Sequence, residues 1–98
     1  MRQHPDYILR RAADTDLIVP VGRAAAKFPG MITVNGTGRF LWELLETEQT
    51  PESLTEALCR QYNVKSAQAR ADVDTFLERL RLAGALAEPE GLEEGEKA

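Results

Sequence analysis

The sequence predicts an α+β domain in which a three-stranded antiparallel sheet is followed by three helices. Three short β-rich runs with short connections lie within residues 7–34, which is typical of an antiparallel sheet. Apolar residues then recur at three- and four-residue spacing over residues 35–84, as they do in amphipathic helices. The length of 98 residues suits one small domain, and the 43% hydrophobic content is ordinary for a globular chain.

The predicted strands are separated by residues that favour turns or break ladders. The strands cover residues 7–11, 17–21 and 30–34. Residues 14–16 have turn chemistry, and residues 23–27 form a connection with room for one helical turn. Pro20 has no N–H to donate to a ladder, so the second strand either lies at an edge or ends there.

The predicted helices have recognisable ends. The second helix starts with Thr50 as N-cap and Pro51 at the first helical position, and the third runs from Ser66 to about Ala83. The other ends are marked by Asn35 before the first helix, Asn63 after the second and Gly84 after the third. Trp42 lies off the apolar stripe of the first helix, so that helix is expected to pack on two sides.

A three-residue turn at 63–65 joins the second and third helices, which is the connection length of a helix-turn-helix. With the small sheet beside it, the arrangement is winged helix-turn-helix-like, and residues 1–87 form one predicted domain. Residues 85–87 either return as a short strand or cover the core. Residues 88–98 hold five Glu, one Lys and no apolar periodicity, so they predict a disordered acidic tail.

The charges of the chain disfavour a nucleic-acid partner. The net charge of −4 resides in the tail, because residues 1–87 hold eleven acidic and eleven basic residues. The third helix, the candidate recognition helix, is neutral, with three Arg against two Asp and one Glu. DNA affinity depends on Lys and Arg that neutralise phosphates. A winged-helix DNA-binding regulator is therefore a minor alternative.

No catalytic or cofactor-binding constellation is visible. The single His4 and the single Cys59 cannot supply the four ligands of a typical zinc site, and His4 lies in a terminus that is predicted to fray. Residues 35–38 lack the spacing and the Lys of a P-loop. We therefore predict a protein that is no enzyme and holds no metal or cofactor. A single cysteine, no signal peptide and no apolar stretch long enough for a membrane span predict a cytoplasmic location.

A binding module remains, with an exposed sheet edge and a groove beside a helix as physical candidates for its surface. Three segments then stand out in order: GMITVNGTGRFLWELL at 30–45, TPESL at 50–54, and ADVDTFLERL at 71–80 followed by Gly84. Together they resemble the PqqD family, named after pyrroloquinoline quinone biosynthesis protein D. The resemblance covers about residues 5–87 and implies a small winged-helix domain. A general protein-interaction domain without a role in peptide modification stays as an alternative.

The resemblance also implies a function. Members bind the leader segment of a ribosomally made precursor peptide and present that peptide to a modifying enzyme, often a radical S-adenosylmethionine enzyme. The leader pairs with the third strand and lies against the third helix. Carried onto this chain, the expected contacts are Gly30, Met31, Ile32, Thr33 and Val34 on the strand, and Asp72, Phe76, Arg79, Leu80 and Ala83 on helix 66–83. Gly36 departs from the family, whose members often carry a longer polar residue there.

Backbone pairing alone does not account for leader affinity. Each strand hydrogen bond contributes about 1 kcal/mol net, whereas ordering each leader residue costs about 1–2 kcal/mol. Apolar anchors must supply the affinity, although Phe76 and Leu80 chiefly belong to the core. Two flanks of the third helix are alternatives for the groove wall: Asp72, Arg79 and Ala83, or Arg70, Leu77 and Arg81. Arg79 or Arg81 suits an acidic leader residue, and an open strand edge allows either a monomer or an edge-strand dimer.

Overall fold

The sheet and the helices follow one another along the chain in the predicted order. The computed structural model describes residues 1–27 and 31–87. Its elements are β1 (Arg2–Gln3), β2 (Tyr7–Ala12), β3 (Thr15–Pro20), α1 (Arg23–Lys27), β4 (Ile32–Val34), α2 (Gly36–Leu44), α3 (Pro51–Tyr62), α4 (Ser66–Ala83) and β5 (Leu86–Ala87). β2, β3 and β4 form a three-stranded antiparallel sheet in that order, which confirms the predicted fold class. The predicted tail 88–98 lies outside the described residues.

β2 and β3 form a hairpin with a two-residue loop. Ala12 pairs with Thr15 across the loop, and the loop residue Ala13 takes a left-handed φ of 57°. β3 pairs with β4 on its other side and is the central strand. Pro20 was predicted to mark either an edge strand or the end of a strand. It is the last residue of the central strand β3, so it marks a strand end.

The residues predicted to cap the helices do so. The Asn35 side chain accepts a hydrogen bond from the N–H of Gly38 at 2.9 Å. Thr50 and Ser53 form a reciprocal capping box at the start of α3, with bonds of 3.0 and 2.9 Å. Left-handed residues follow two helices: Asn63 after α3 with φ 52°, and Gly84 after α4 with φ 80°.

The core lies between the three-stranded sheet and the helices. Its largest fully buried side chains are those of Trp42, Ile18, Leu41, Leu45, Leu54, Leu58, Leu80 and Val73. Trp42 is 2% exposed, and α2 contacts both α3 and β4, so this helix is packed on two sides as expected. Within residues 1–27 and 31–87, every helix is too short or too polar to span a bilayer.

The N-terminus is held in place, and the prediction that it frays is wrong. β1 pairs with β5 in a separate two-stranded antiparallel sheet, so of residues 85–87 the last two return as a short strand. The N–H of Gln3 donates to the carbonyl of Leu45, and that of His4 to the carbonyl of Ala85, both at 2.8 Å. Every one of these partners is distant in sequence, which is why no local pattern reveals them.

Tyr7 joins the start of β2 to the end of α4. Its hydroxyl donates to the carbonyl oxygen of Ala83 at 2.6 Å, and the residue is 5% exposed. Burial raises the pKa of Tyr7 above its ordinary value, and the nearby negative charge of Asp6 adds to the effect. A raised folded pKa contributes stability that is fully present below the unfolded pKa of about 10, and this stability is lost as pH rises through the folded pKa.

We expect Tyr7→Phe to lower the free energy of unfolding by about 1 kcal/mol at neutral pH, because one hydrogen bond is lost while the ring stays buried. The variant should also lose less stability than the parent as the pH rises to about 10.5. Urea unfolding at both pH values measures the two effects. Tyr62→Phe is the control, because Tyr62 is 42% exposed. An alkaline loss in Tyr7→Phe equal to that of the parent would contradict this assignment.

Candidate functional site

β4 is an edge strand, because within the described chain it pairs with β3 alone. The pairs are Ile32 with Ile18, Thr33 with Leu17, and Val34 with Asp16. Ile32 and Val34 are 8% and 6% exposed and point into the core, whereas Thr33 is exposed on the other face. The strand therefore presents one open edge along its length.

This strand is shorter than the predicted segment 30–34. Met31 precedes it and is 58% exposed, and Gly30 lies outside the described residues. The chemistry of Pro20 explains the short ladder. Continuing the register of β3 would require an N–H from Pro20, which has none, and the last pair among the described residues is that of Ile18 with Ile32.

The hairpin register establishes which backbone groups face the open edge. After a two-residue loop, Thr15 directs its N–H back to β2. Because the direction alternates along a strand, Asp16 and Ile18 direct their backbone groups to β4. The partners of those two residues bond back to β3. Thr33, which lies between the partners, therefore directs its N–H and C=O outward.

One side chain of α4 reaches this edge. Nη2 of Arg79 donates to the carbonyl oxygen of Thr33 at 2.8 Å, in agreement with the outward direction of that carbonyl. The two residues are 46 positions apart in the chain. α4 therefore lies alongside the open strand, and the Arg79 guanidinium spans the space between them.

A cleft of about 260 Å³ adjoins this contact. Its α4 wall consists of Asp72, Thr75, Phe76 and Arg79, and its opposite wall includes Thr37 and Gly38 at the start of α2. Phe76 is 6% exposed, and Leu41, which also lines the cleft, is 1% exposed. The floor is therefore apolar and the rim is polar.

The rim carries opposite charges at its two ends. Asp72 and Arg79 are seven residues apart on α4, which is roughly 10 Å along the helix axis. Asp72 accepts a hydrogen bond from the Gln68 side chain at 2.9 Å. Arg79 is in no ion pair with any residue of the described ranges. Its charge is thus compensated by no side chain of that part of the protein.

The flank of α4 beside the cleft is the one that holds Asp72 and Arg79. On the opposite flank Leu77 is 3% exposed and belongs to the core. Arg70 and Arg81 lie on that flank as well, and each bonds to an acidic residue of its own helix, at 3.0 and 2.7 Å. Of the two flanks considered for the groove wall, the one with Asp72 and Arg79 lines the cleft, and its contact with a leader stays a prediction.

Two residues predicted as contacts lie elsewhere. Leu80 is fully buried, so it serves the core and has no surface to offer a ligand. Ala83 is half-buried and lines a second cleft of about 440 Å³ together with His4 and Tyr7. It lies four residues, about one helical turn, beyond Arg79. Of the predicted contacts on α4, Asp72, Phe76 and Arg79 line the cleft beside the open edge, and their contact with a leader stays a prediction.

A buried carboxylate lies on β3 next to the C-terminal end of β4. Asp16, which pairs with Val34, is 9% exposed, and its Oδ1 lies 3.8 Å from a guanidinium nitrogen of both Arg11 and Arg39. A hydrogen bond to Glu43, with the negative charges of Asp16 and Glu43, raises the pKa of Arg39 above its ordinary value. The two cations compensate the buried charge next to the edge strand.

Gly38 lets α2 approach β4 and α4 closely. A Cβ at this position would lie 3.1 Å from Cβ of Val34 and 3.2 Å from the Phe76 ring, and neither neighbour is the end of a flexible side chain.

We expect Gly38→Ala to lower stability, because overpacking costs about 1–3 kcal/mol against a gain in helix propensity of about 1 kcal/mol. At Gly36 nothing lies within 4 Å of such a Cβ. Gly36→Ala should therefore raise stability, and thermal unfolding of both variants compares them. A melting temperature of Gly38→Ala above that of the parent would contradict the tight packing.

The structure assembles no metal-binding group from the residues it describes, since no three His, Cys, Asp or Glu side chains converge within 1–27 and 31–87. His4 uses its Nδ1 to accept the N–H of Asp6 at 3.0 Å and packs edge-on against Tyr7, with 5.7 Å between ring centroids. Cys59 is a free, half-buried thiol. What the site offers is a backbone edge, an apolar floor and one uncompensated guanidinium.

The fold class is α+β, with a three-stranded antiparallel sheet whose open edge lies beside the last long helix. The chain matches the family model described as coenzyme PQQ synthesis protein D (PqqD) over residues 17–86. It therefore belongs to the PqqD family, as its three segments predicted. No curated protein is similar enough in sequence to count as a relative.

Two solved structures share the fold. TbiB1 in complex with the TbiA(beta) leader peptide has a TM-score of 0.71 and 20% sequence identity, with 91% of this chain and 98% of that chain covered. Lasso peptide synthetase B1 complexed with the leader peptide has a TM-score of 0.68 and 17% identity, with 89% and 96% covered. Both similarities extend over nearly the whole described domain.

Proposed function

We propose that this protein is a non-catalytic adaptor that binds the leader segment of a ribosomally made precursor peptide. The observation that carries this function is the open edge of β4 beside the cleft of α4, a combination that suits an extended segment. Membership of the PqqD family supports it. So do the two structures of the same fold, which are both complexes with leader peptides.

The leader adds a strand at β4 and anchors one side chain in the cleft. The outward N–H and C=O of Thr33 provide the backbone bonds, each contributing about 1 kcal/mol net. An apolar leader side chain above Phe76 contributes about 1.5–3 kcal/mol when it is fully buried. Met31, Ile32 and Val34 flank the pairing position, and Asp72 and Arg79 border the anchor. Most of the affinity thus comes from the cleft.

A modifying enzyme then acts on the precursor that the adaptor holds. The family favours a radical S-adenosylmethionine enzyme for this role, and the adaptor contributes binding rather than a reacting group. The single cysteine favours a cytoplasmic setting. Without leader, the protein is a monomer or a dimer joined through the β4 edge, and sedimentation distinguishes these states.

Titration with candidate leaders tests the function. The probes are synthetic peptides that cover the N-terminal halves of short reading frames beside the gene, each with a scrambled version of the same composition. We expect one peptide to bind with a Kd of about 1 µM or below and its scrambled version to bind at least tenfold more weakly. If every candidate binds no better than its scrambled control, the adaptor function is wrong.

Duplex DNA should bind weakly, because two of the three basic residues of α4 are compensated by carboxylates. Arg70 lies 3.0 Å from Asp74 and 3.7 Å from Glu52, and Arg81 lies 2.7 Å from Glu78. Few cations are left to displace counterions from phosphates. Electrophoretic shifts with random-sequence and selected duplexes at about 50 and 200 mM salt measure this. A sequence-dependent affinity below about 1 µM would favour the DNA-binding regulator instead.

A further inference from the structure

Arg79 differs from the other arginines of α4. Arg70 and Arg81 are engaged by carboxylates of their own helix, whereas Arg79 extends across to the carbonyl of Thr33. That carbonyl is the acceptor that an added strand needs, because Thr33 is the residue of β4 whose backbone faces outward. In the free protein, the guanidinium therefore occupies the donor position that a backbone N–H of an added strand would take.

An added strand that bonds to the Thr33 carbonyl competes with this guanidinium for its acceptor. A guanidinium has five N–H donors and stays charged in proteins, so one released at the rim of an apolar-floored cleft needs a new partner. A carboxylate is the strongest match, since it can accept two parallel hydrogen bonds from one guanidinium. Asp72 at the far end of the same cleft repels a second carboxylate there. The two charges together favour an acidic residue at one end only.

We propose that Arg79 makes the protein prefer peptides that carry an Asp or Glu beside the apolar anchor. This preference rests on the proposed leader binding. The spacing follows from the strand. Side chains that face α4 from an added strand alternate, as Ile32 and Val34 do on β4. The acidic residue and the apolar anchor therefore share one face and are separated by an even number of positions, two in the shortest case.

Selection from random peptides tests this without knowledge of the natural precursor. The probe is a displayed library of random peptides of about twelve residues, selected in parallel on the parent, R79Q and R79E. R81Q is the matched control, because Arg81 lies on the opposite flank and bonds to Glu78. Arg79 is exposed, so these variants should fold, and circular dichroism checks that they do. R79K, which keeps the cation, serves as a second variant.

We expect the parent and R81Q to enrich Asp or Glu an even number of positions from an apolar residue, and R79K to do so more weakly. R79Q should lose the enrichment, and R79E should enrich Lys or Arg at that position. Replacing the acidic residue of a selected peptide by its amide should weaken binding to the parent about three- to tenfold and leave binding to R79Q unchanged.

Two other outcomes overturn the selectivity in distinguishable ways. If the parent enriches peptides without an acidic preference, or R79Q keeps the same preference, Arg79 is only a structural link between α4 and β4, and peptide binding stands. If the parent enriches no peptide over an unrelated protein of similar size, the proposed leader binding fails and the selectivity fails with it.

Discussion

Ile32→Pro is expected to unfold the domain, whereas Thr33→Pro at the adjacent position should leave it folded and weaken peptide binding, about fivefold for one lost bond of about 1 kcal/mol. Ile32 directs its N–H to β3, so proline there deletes a ladder bond, and the 8% exposed side chain is lost from the core as well. Loss of a buried Ile side chain alone costs about 2–5 kcal/mol, which approaches the whole stability of many small domains. Thr33 directs its N–H to the open edge, where proline removes only a donor that a leader would use.

Circular dichroism measures the loss of folding, and titration with a leader peptide that the parent binds measures the loss of affinity. Ile32→Ala is the matched control, because it deletes the buried side chain and keeps the N–H. We expect Ile32→Ala to fold with reduced stability, and Thr33→Pro to melt within a few degrees of the parent. If Thr33→Pro unfolds as completely as Ile32→Pro, the backbone of Thr33 is needed within the sheet. If Thr33→Pro binds leader as well as the parent does, the open edge is not the binding surface.

Trp42→Ala should be the most destabilising single truncation in α2. The side chain is 2% exposed, and the carbonyl of the same residue accepts a bond from the Gln3 side chain at 2.7 Å. Removing a buried Trp side chain costs about 3–5 kcal/mol through lost burial and the cavity left behind. Because α2 also forms one wall of the cleft, peptide affinity should fall together with stability.

Urea unfolding followed by far-ultraviolet circular dichroism measures the loss, since the only tryptophan is removed. Glu43→Ala is the control on the same helix, because Glu43 is exposed and its contact with Arg39 is a surface ion pair of small value. A destabilisation below about 1 kcal/mol for Trp42→Ala would mean that α2 is packed on one side only.

The features that sequence predicts well are those encoded by adjacent residues. Thr50 and Pro51 define a helix start, and Asn63 and Gly84 define helix ends, because capping depends on a few neighbouring backbone groups. The off-stripe position of Trp42 likewise predicts its burial. These predictions need no knowledge of what lies across the fold.

The features that sequence misses are contacts between distant segments. β1 and β5 are two residues each, too short to show a period, and they stabilise each other only once the helices bring them together. The contact of Arg79 with Thr33 joins positions 46 apart, so helical periodicity alone left either flank of α4 open. The predicted strand 30–34 is longer than β4, because the limit of β4 is set by Pro20 on the neighbouring strand β3 and not by the residues of β4.

The limit that Pro20 sets on the edge strand bears on how long a bound peptide stays. Among the residues that the structure describes, this ladder holds Ile32, Thr33 and Val34, so the outward backbone bonds are few, and each adds about 1 kcal/mol to the barrier for dissociation. Differences in affinity between related complexes lie chiefly in the dissociation rate. A short edge therefore favours rapid release, so that one copy of the protein can serve many precursor molecules in succession rather than retain the first.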